Sequence, residues 1–218
     1  VPINYSIVTN IDKEHLDYYK SFNKLKKSFK TFIEKTPPIG KCFLCLDDLN
    51  IKKIIKKLKT KNFYTYGFHK NSNYQVCNLK YKTNYTKFDL KIKNVGFKKL
   101  HIKNILLNLI GTHNVLNATA AISLSLNIGL SINIIKKALK NFSGVQRRLT
   151  KVFKKNKIEF YDDYAHHPTE IKSVLEGIRK VTSKRKIVAV FQPHRYSRIK
   201  SLKSEFASCF KNSDQVIL

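Results

Sequence analysis

From residue 158 onward the chain alternates short apolar runs with helical patterns. The spacing predicts a strand over 158–163, a helix over 168–181, a strand over 186–191, a helix over 198–211 and a strand over 215–218. Few folds accommodate such an order. Parallel strands need a long crossover, usually a helix, to return to the same edge of a sheet. The pattern therefore predicts βαβ units and a Rossmann-like parallel α/β domain. Ligands of such sheets sit at strand-to-helix turns. Two of these turns are strongly polar: Tyr161-Asp-Asp-Tyr-Ala-His-His-Pro-Thr-Glu-Ile171 and Phe191-Gln-Pro-His-Arg-Tyr-Ser-Arg198. Pro168 suits the first turn of a helix, where its missing N–H would be unpaired anyway. Three His, two Arg and two Asp on two adjacent turns suit an anionic ligand better than a core.

The first half reads differently. Ile3–Thr9 is a short strand-like run followed by a polar turn, Asn10–His15. Leu16–Ile33 carries a helical apolar pattern, broken by Pro37, Pro38 and Gly40. Lys41–Leu46 reads as a buried strand, and Ile51, Ile54, Ile55 and Leu58 mark one face of a basic amphipathic helix. Between 62 and 110, short alternating runs suggest a small, mostly antiparallel sheet. Gly111-Thr-His-Asn-Val-Leu-Asn117 opens an Ala- and Leu-rich helix that Gly129 ends. Ser131 caps the next helix, to about Phe142. Residues 143–157, with Gly144, Arg147, Arg148 and a Lys run, read as a hinge or linker.

Charge points toward a polyanion partner at first sight: 43 Lys and Arg stand against 14 Asp and Glu, a net +29. The excess is nearly all Lys, spread over the whole length beside many Asn, Ile, Tyr and Phe. These residues share AT-rich codons, so composition bias explains the charge without a specific nucleic-acid partner. No apolar run reaches the roughly 18 residues that span a membrane, and the first residues lack a secretory pattern. Cys42 and Cys45 form a C-x-x-C with no second pair, which reads as two structural thiols in a reducing cytoplasm rather than a zinc site. The chain has no Met and ends in the apolar run Gln215–Leu218. Both features predict an internal piece of a longer protein.

Particular residues carry candidate chemistry. Asn114 and Asn117, spaced i, i+3 at a helix start, offer amides that match the edge of adenine, or that cap the helix. Arg147 and Arg148 are guanidinium forks suited to phosphate, or solvated charges in a Lys-rich stretch. Asp163 ends a strand, where a carboxylate accepts from ribose hydroxyls. Arg195 and Arg198, again i, i+3 and with His194 beside them, suit the α-carboxylate of an amino acid. His167 reads as a packed residue capping its turn. His15, by its chemistry alone, is a surface residue, because Mg²⁺ prefers oxygen ligands.

Five ordered motifs give a family resemblance over essentially the whole chain. They are Thr9-Asn10-Ile11 followed by His15; Gly111-x-His-Asn-x-x-Asn117-Ala; Arg147-Arg148; Asp162-Asp-Tyr-Ala-His-His-Pro-Thr-Glu170; and Phe191-Gln-Pro-His-Arg-Tyr-Ser-Arg198. Together they resemble the Mur ligases, ATP-dependent amide-bond-forming enzymes of peptidoglycan synthesis. The resemblance implies that residues 1–145 are the later part of a central, P-loop-type ATP-binding domain, and 146–218 the first part of an amino-acid-binding domain. It implies ATP and Mg²⁺ as cofactors, with UDP-N-acetylmuramate and L-alanine as substrates. A tripeptide-recycling ligase acting on the same UDP-sugar is the alternative, and a non-enzymatic basic nucleic-acid-binding domain a second one. The roles implied are these: His15 as Mg²⁺ ligand near the reacting carboxylate; His113, Asn114 and Asn117 at adenine; Arg147, Arg148 and Asp163 at the rest of the nucleotide. Tyr164, His166, His194, Arg195 and Arg198 would hold L-alanine, with His15, His166 and Arg195 serving the chemistry. Two departures matter. No G-x-x-x-x-G-K-[ST] loop is present, and Val145-Gln-Arg-Arg-Leu149 replaces the more usual Gly-Arg-Arg-Phe. The expectation is that this piece is inactive without the missing N-terminal part.

Overall fold

The computed structural model describes residues 4–96, 99–182 and 184–218. The chain divides into two compact units. The first comprises residues 1–80, 87–106 and 115–140, the second 81–86, 107–114 and 141–218.

The first unit is built on one six-stranded sheet in the order β1-β2-β3-β4-β5-β6. Its opening elements are β1 (Tyr5–Val8), α1 (Leu16–Tyr19), α2 (Phe22–Glu34), β2 (Lys41–Cys45), α3 (Leu49–Ile55) and β3 (Phe63–Gly67). Then come β4 (Tyr74–Tyr81), β5 (Thr86–Ile92), β6 (Leu100–Leu107), α4 (Thr112–Asn127) and α5 (Ile132–Asn141). The pairs β1–β2, β2–β3 and β3–β4 are parallel. A turn closed by Lys82 N–H donating to the Tyr85 carbonyl (2.9 Å) joins β4 to β5, a connection too short for anything but an antiparallel pair. The expected small, mostly antiparallel sheet is thus the continuation of a parallel one. Alternation alone cannot distinguish these, because the sheet edge that receives a strand is set by distant residues.

Strand β2 is the centre of this core. Cys42, Phe43 and Leu44 are wholly buried, which fits a strand covered on both faces. Each of the two larger side chains contributes roughly 1.5–3 kcal/mol by leaving water. Burial also pushes the thiols of Cys42 and Cys45 up to about 11, so both are inert packing groups at neutral pH. The expected helix over Leu16–Ile33 is two helices. Lys20 adopts a left-handed φ of 63°, and the Ser21 hydroxyl starts α2 afresh by accepting from the Lys24 N–H (3.2 Å). Helix α4 ends as predicted: Gly129 takes φ 88°, and Leu130 N–H reaches back to the Ser125 carbonyl (3.0 Å).

The second unit continues with β7 (Thr150–Lys155), β8 (Ile158–Asp162), α6 (Pro168–Val181), β9 (Val188–Val190), α7 (Tyr196–Ser201), α8 (Lys203–Cys209) and β10 (Gln215–Ile217). Strands β9 and β10 are parallel, as the alternation requires. Strand β8 departs from expectation. It pairs antiparallel with β7 in its own two-stranded sheet. The predicted linker 143–157 therefore contains a strand, and the first expected βαβ unit is absent among the described residues. Phe153 stacks on Phe160 at 4.0 Å across this hairpin, and Glu159 gathers Lys151 (2.6 Å) and Arg185 (2.9 Å). The predicted helix over 198–211 is likewise two, α7 and α8, divided at Leu202. Ile171, Leu175, Ile187 and Cys209 form this unit's core, with Phe191, Phe206 and Phe210 packed against it.

Candidate active site

The turn between β8 and α6 is held by its own side chains before any ligand arrives. His167 is buried and caps α6, its imidazole accepting from the Thr169 N–H (3.3 Å). Glu170 completes a capping box: its Oε2 accepts from the N–H groups of His166 (3.1 Å) and His167 (3.3 Å). Burial raises the Glu170 carboxyl, but those two N–H donors and the charges of His166 and Arg148 outweigh it, leaving the group below its ordinary value. Asp163 accepts from Leu149 N–H with one oxygen and from Ala165 N–H with the other, both at 2.7 Å. Its carboxylate thus ties the arginine segment to this turn.

The arginine pair belongs to the same assembly. Tyr164 N–H donates to the Arg147 carbonyl (2.8 Å). Arg147 lies over the Tyr164 ring at 4.8 Å and pairs with Asp162 at 3.4 Å. Arg148 pairs with Glu170 at 3.5 Å. So Arg147 and Arg148 do not lie on a free linker. Left-handed φ angles at Arg147 (57°) and Leu149 (50°) shape the turn that presents them. His166 contacts the edge of Tyr164 (5.3 Å), and its Nδ1 lies 3.0 Å from the Tyr164 carbonyl. A carbonyl only accepts, so Nδ1 carries the hydrogen in this arrangement.

His113, at the start of α4, is half-buried in this unit, and its Nδ1 is buried without a partner. Burial lowers its pKa, the Asp163 charge opposing and the Arg148 charge assisting, so the ring is neutral near pH 7. Its position requires Gly111. A Cβ there would lie 2.7 Å from His113 Cε1, and φ is +100°. One residue on, Asn114 donates its amide to the Ile110 carbonyl (2.8 Å), while Asn117 is exposed. The Asn114 bond ties α4 to the segment before it and is not a cap, in which a side-chain oxygen accepts from a free helix N–H.

The second turn, between β9 and α7, is open. His194 and Arg195 are exposed. Arg195 precedes the helix with φ 66° and makes no side-chain cap bond. Arg198 is buried at 9% exposure, its Nη1 reaching 3.5 Å to the His194 carbonyl. The two arginines therefore do not share a helical face. One lies outside the helix and the other inside it, folded back on the turn.

In the first unit, His15 is exposed, takes φ 54° and precedes the four-residue α1. Among the described residues no three His, Cys, Asp or Glu side chains gather to hold a metal ion. His15 would supply a single nitrogen to an ion that prefers oxygen ligands. Sequence reasoning missed the parts played by Asp162 and Glu170. The signal for Glu170 was available: Pro168 at the helix start and Glu two residues on mark a capped N-terminus.

A mixed α/β fold with a preassembled, charged strand-to-helix turn defines the class. Residues 1–125 match the Mur ligase middle domain and residues 147–218 the Mur ligase glutamate ligase domain. The chain belongs to the Mur ligase family. It is 52% identical, over all 218 residues, to the UDP-N-acetylmuramate–L-alanine ligase of Pelagibacter ubique (strain HTCC1062), of which it covers 47%. Against the enzyme of the same name from Bartonella tribocorum identity is 40%, covering 100% of this chain and 46% of that protein. The crystal structure of UDP-N-acetylmuramate–alanine ligase from Thermotoga maritima superposes with a TM-score of 0.72 at 28% identity, covering 99% of this chain and 45% of that one. The chain spans about half the length of the relatives it matches.

Proposed function

We propose that the whole protein carrying this chain ligates L-alanine to the lactyl carboxylate of UDP-N-acetylmuramate, at the expense of ATP, in the cytoplasm. The observation that carries this reading is the 52% identity, across every residue of the chain, to a relative of that name. We further propose residues 1–145 as the later part of the central ATP-binding domain and 146–218 as the start of the amino-acid domain. The two family matches, ending at 125 and resuming at 147, support that division.

In this reading ATP phosphorylates the lactyl carboxylate, and the L-alanine amine attacks the resulting acyl phosphate, releasing phosphate. Most of the work is positioning and charge neutralisation. Arg147 and Arg148 exchange Asp162 and Glu170 for ATP phosphate oxygens. Neutral His113, with Asn114 and Asn117, contacts adenine. Asp163, with both oxygens already engaged by backbone, accepts from ribose hydroxyls through remaining lone pairs. Tyr164, His166, His194, Arg195 and Arg198 hold L-alanine, with charged ends paired because its methyl gives only about 1–3 kcal/mol of discrimination. His15 would hold Mg²⁺, which supplies positive charge toward the transferred phosphoryl group. The 218-residue piece, without a phosphate loop, does not turn over by itself.

The test is an assay of ADP release by the complete protein with UDP-N-acetylmuramate and either L-alanine or a tripeptide. Release with L-alanine supports the reading. Release with tripeptide alone replaces it with the recycling ligase. Turnover by the isolated 218 residues would refute the need for the missing part.

A further inference from the structure

Three loops follow the C-terminal ends of the parallel strands β1, β2 and β3, the edge where open α/β sheets take ligands. The segment Leu46-Asp-Asp-Leu-Asn50, which is the β2–α3 turn and the first two residues of α3, grips the other two. Asp48 accepts the Ile51 N–H with Oδ1 (2.7 Å), capping α3, and the Ile11 N–H with Oδ2 (3.3 Å). Asn50 Nδ2 donates to the Ile11 carbonyl (2.8 Å). Both polar groups of one buried residue's backbone are thus held from a single segment. Next door, Asp47 accepts from the N–H groups of Phe68 (2.6 Å) and His69 (2.9 Å) after β3. Gly67 makes that approach possible: a Cβ there would lie 2.4 Å from Asp47 Oδ2.

Ile11 is 2% exposed and lies four residues before His15. The connection between them is short and bent, with Glu14 N–H donating to the Asp12 carbonyl (2.9 Å). His15 itself sits in a left-handed conformation, its carbonyl accepting from the N–H groups of Tyr18 and Tyr19 (both 3.0 Å). Fixing Ile11 therefore fixes where the segment begins, and with it where His15 is presented.

We propose that Asp48 and Asn50 are positioning residues for the segment Thr9–His15, holding it at the ligand edge of the sheet through the backbone of Ile11. The inference rests on the reading that this segment serves ligation. The variants separate positioning from folding. Asn50→Ala removes only the bond to the Ile11 carbonyl. Asp48→Ser keeps an oxygen able to cap α3 but cannot also reach Ile11.

In the complete ligase, hydrogen exchange of a peptide covering residues 9–15 is expected to quicken about fivefold in either variant, the scale of one hydrogen bond. Turnover should fall about fivefold, with the ATP KM within about twofold and the melting temperature of Asn50→Ala within about 2 °C. His15→Ala, run alongside, should lower turnover further. Unchanged exchange would overturn the proposal. So would quickened exchange with unchanged turnover where His15→Ala does reduce it. If His15→Ala leaves turnover intact, the reading of this segment as part of the reaction fails instead, and the positioning role falls with it.

Discussion

The two polar strand-to-helix turns of the second unit look alike as sequences and differ as structures. Between β8 and α6, the side chains of Asp163, His167 and Glu170 bind backbone N–H groups, and Arg147 and Arg148 are paired with acids. Between β9 and α7, His194 and Arg195 are exposed, and the helix starts without a side-chain cap. The first turn is a preorganised frame, whose stability comes from its own polar groups. The second keeps charge available at a strained backbone position, φ 66° at Arg195. Residues of the same types are thus bound to backbone and to acids in the first turn, whereas His194 and Arg195 are left exposed in the second.

Substitutions can break that contrast. The largest effect is expected at Arg195. Arg195→Ala in the complete ligase should raise the KM for L-alanine about 10- to 100-fold, the scale of a charged hydrogen bond of roughly 1.5–3 kcal/mol. ATP should be little affected, and so should stability, because replacing an exposed side chain changes it by about 0.5 kcal/mol or less. A fall in melting temperature with equal effects on both substrates would make the second turn structural like the first.

Asp163→Asn should cost about 2 kcal/mol in urea unfolding, since one amide oxygen cannot serve both Leu149 and Ala165. An unchanged midpoint would mean that the first turn is not held by its carboxylate. His167→Ala should lose about 1 kcal/mol, and His167→Asn should recover most of it by restoring a cap. Equal losses in both variants would assign the role to packing of the buried ring.

The smallest effect concerns pH. The Glu170 carboxyl lies below its ordinary value of 4.5 in the folded protein. Its contribution is therefore present above pH 4.5 and fades as pH falls through the folded value. Glu170→Gln keeps the capping box, since Gln serves at that position, and loses the charge. The stability gap between parent and variant should be largest near neutral pH and close in acid. A gap that widened in acid would reverse the sign of the assignment.

Much of this was legible in local pattern. Pro168 after a polar turn marks where α6 begins, and the apolar run from Cys42 marks a strand buried on both faces. Gly129 and Ser131 close one helix and open the next. These signals need only neighbours within a turn or two. The candidate site was legible as a set of residue types on two turns, but not as an arrangement. Nothing local says that Arg147 meets Asp162, or that Arg198 folds inward while Arg195 stays out.

The sequence by itself determined the α/β class, the places where many elements start and stop, and the position of the two polar turns, because periodicity and caps are written within a few residues. Tertiary structure alone decided which strands pair. Strand β8 joins β7 rather than β9, and β4–β6 extend a parallel sheet rather than forming their own. It also decided which charges are used up inside the fold. Strand pairing and side-chain burial are settled by contacts between residues far apart in the chain, and a change of partner costs little in local propensity while changing the whole face a residue presents.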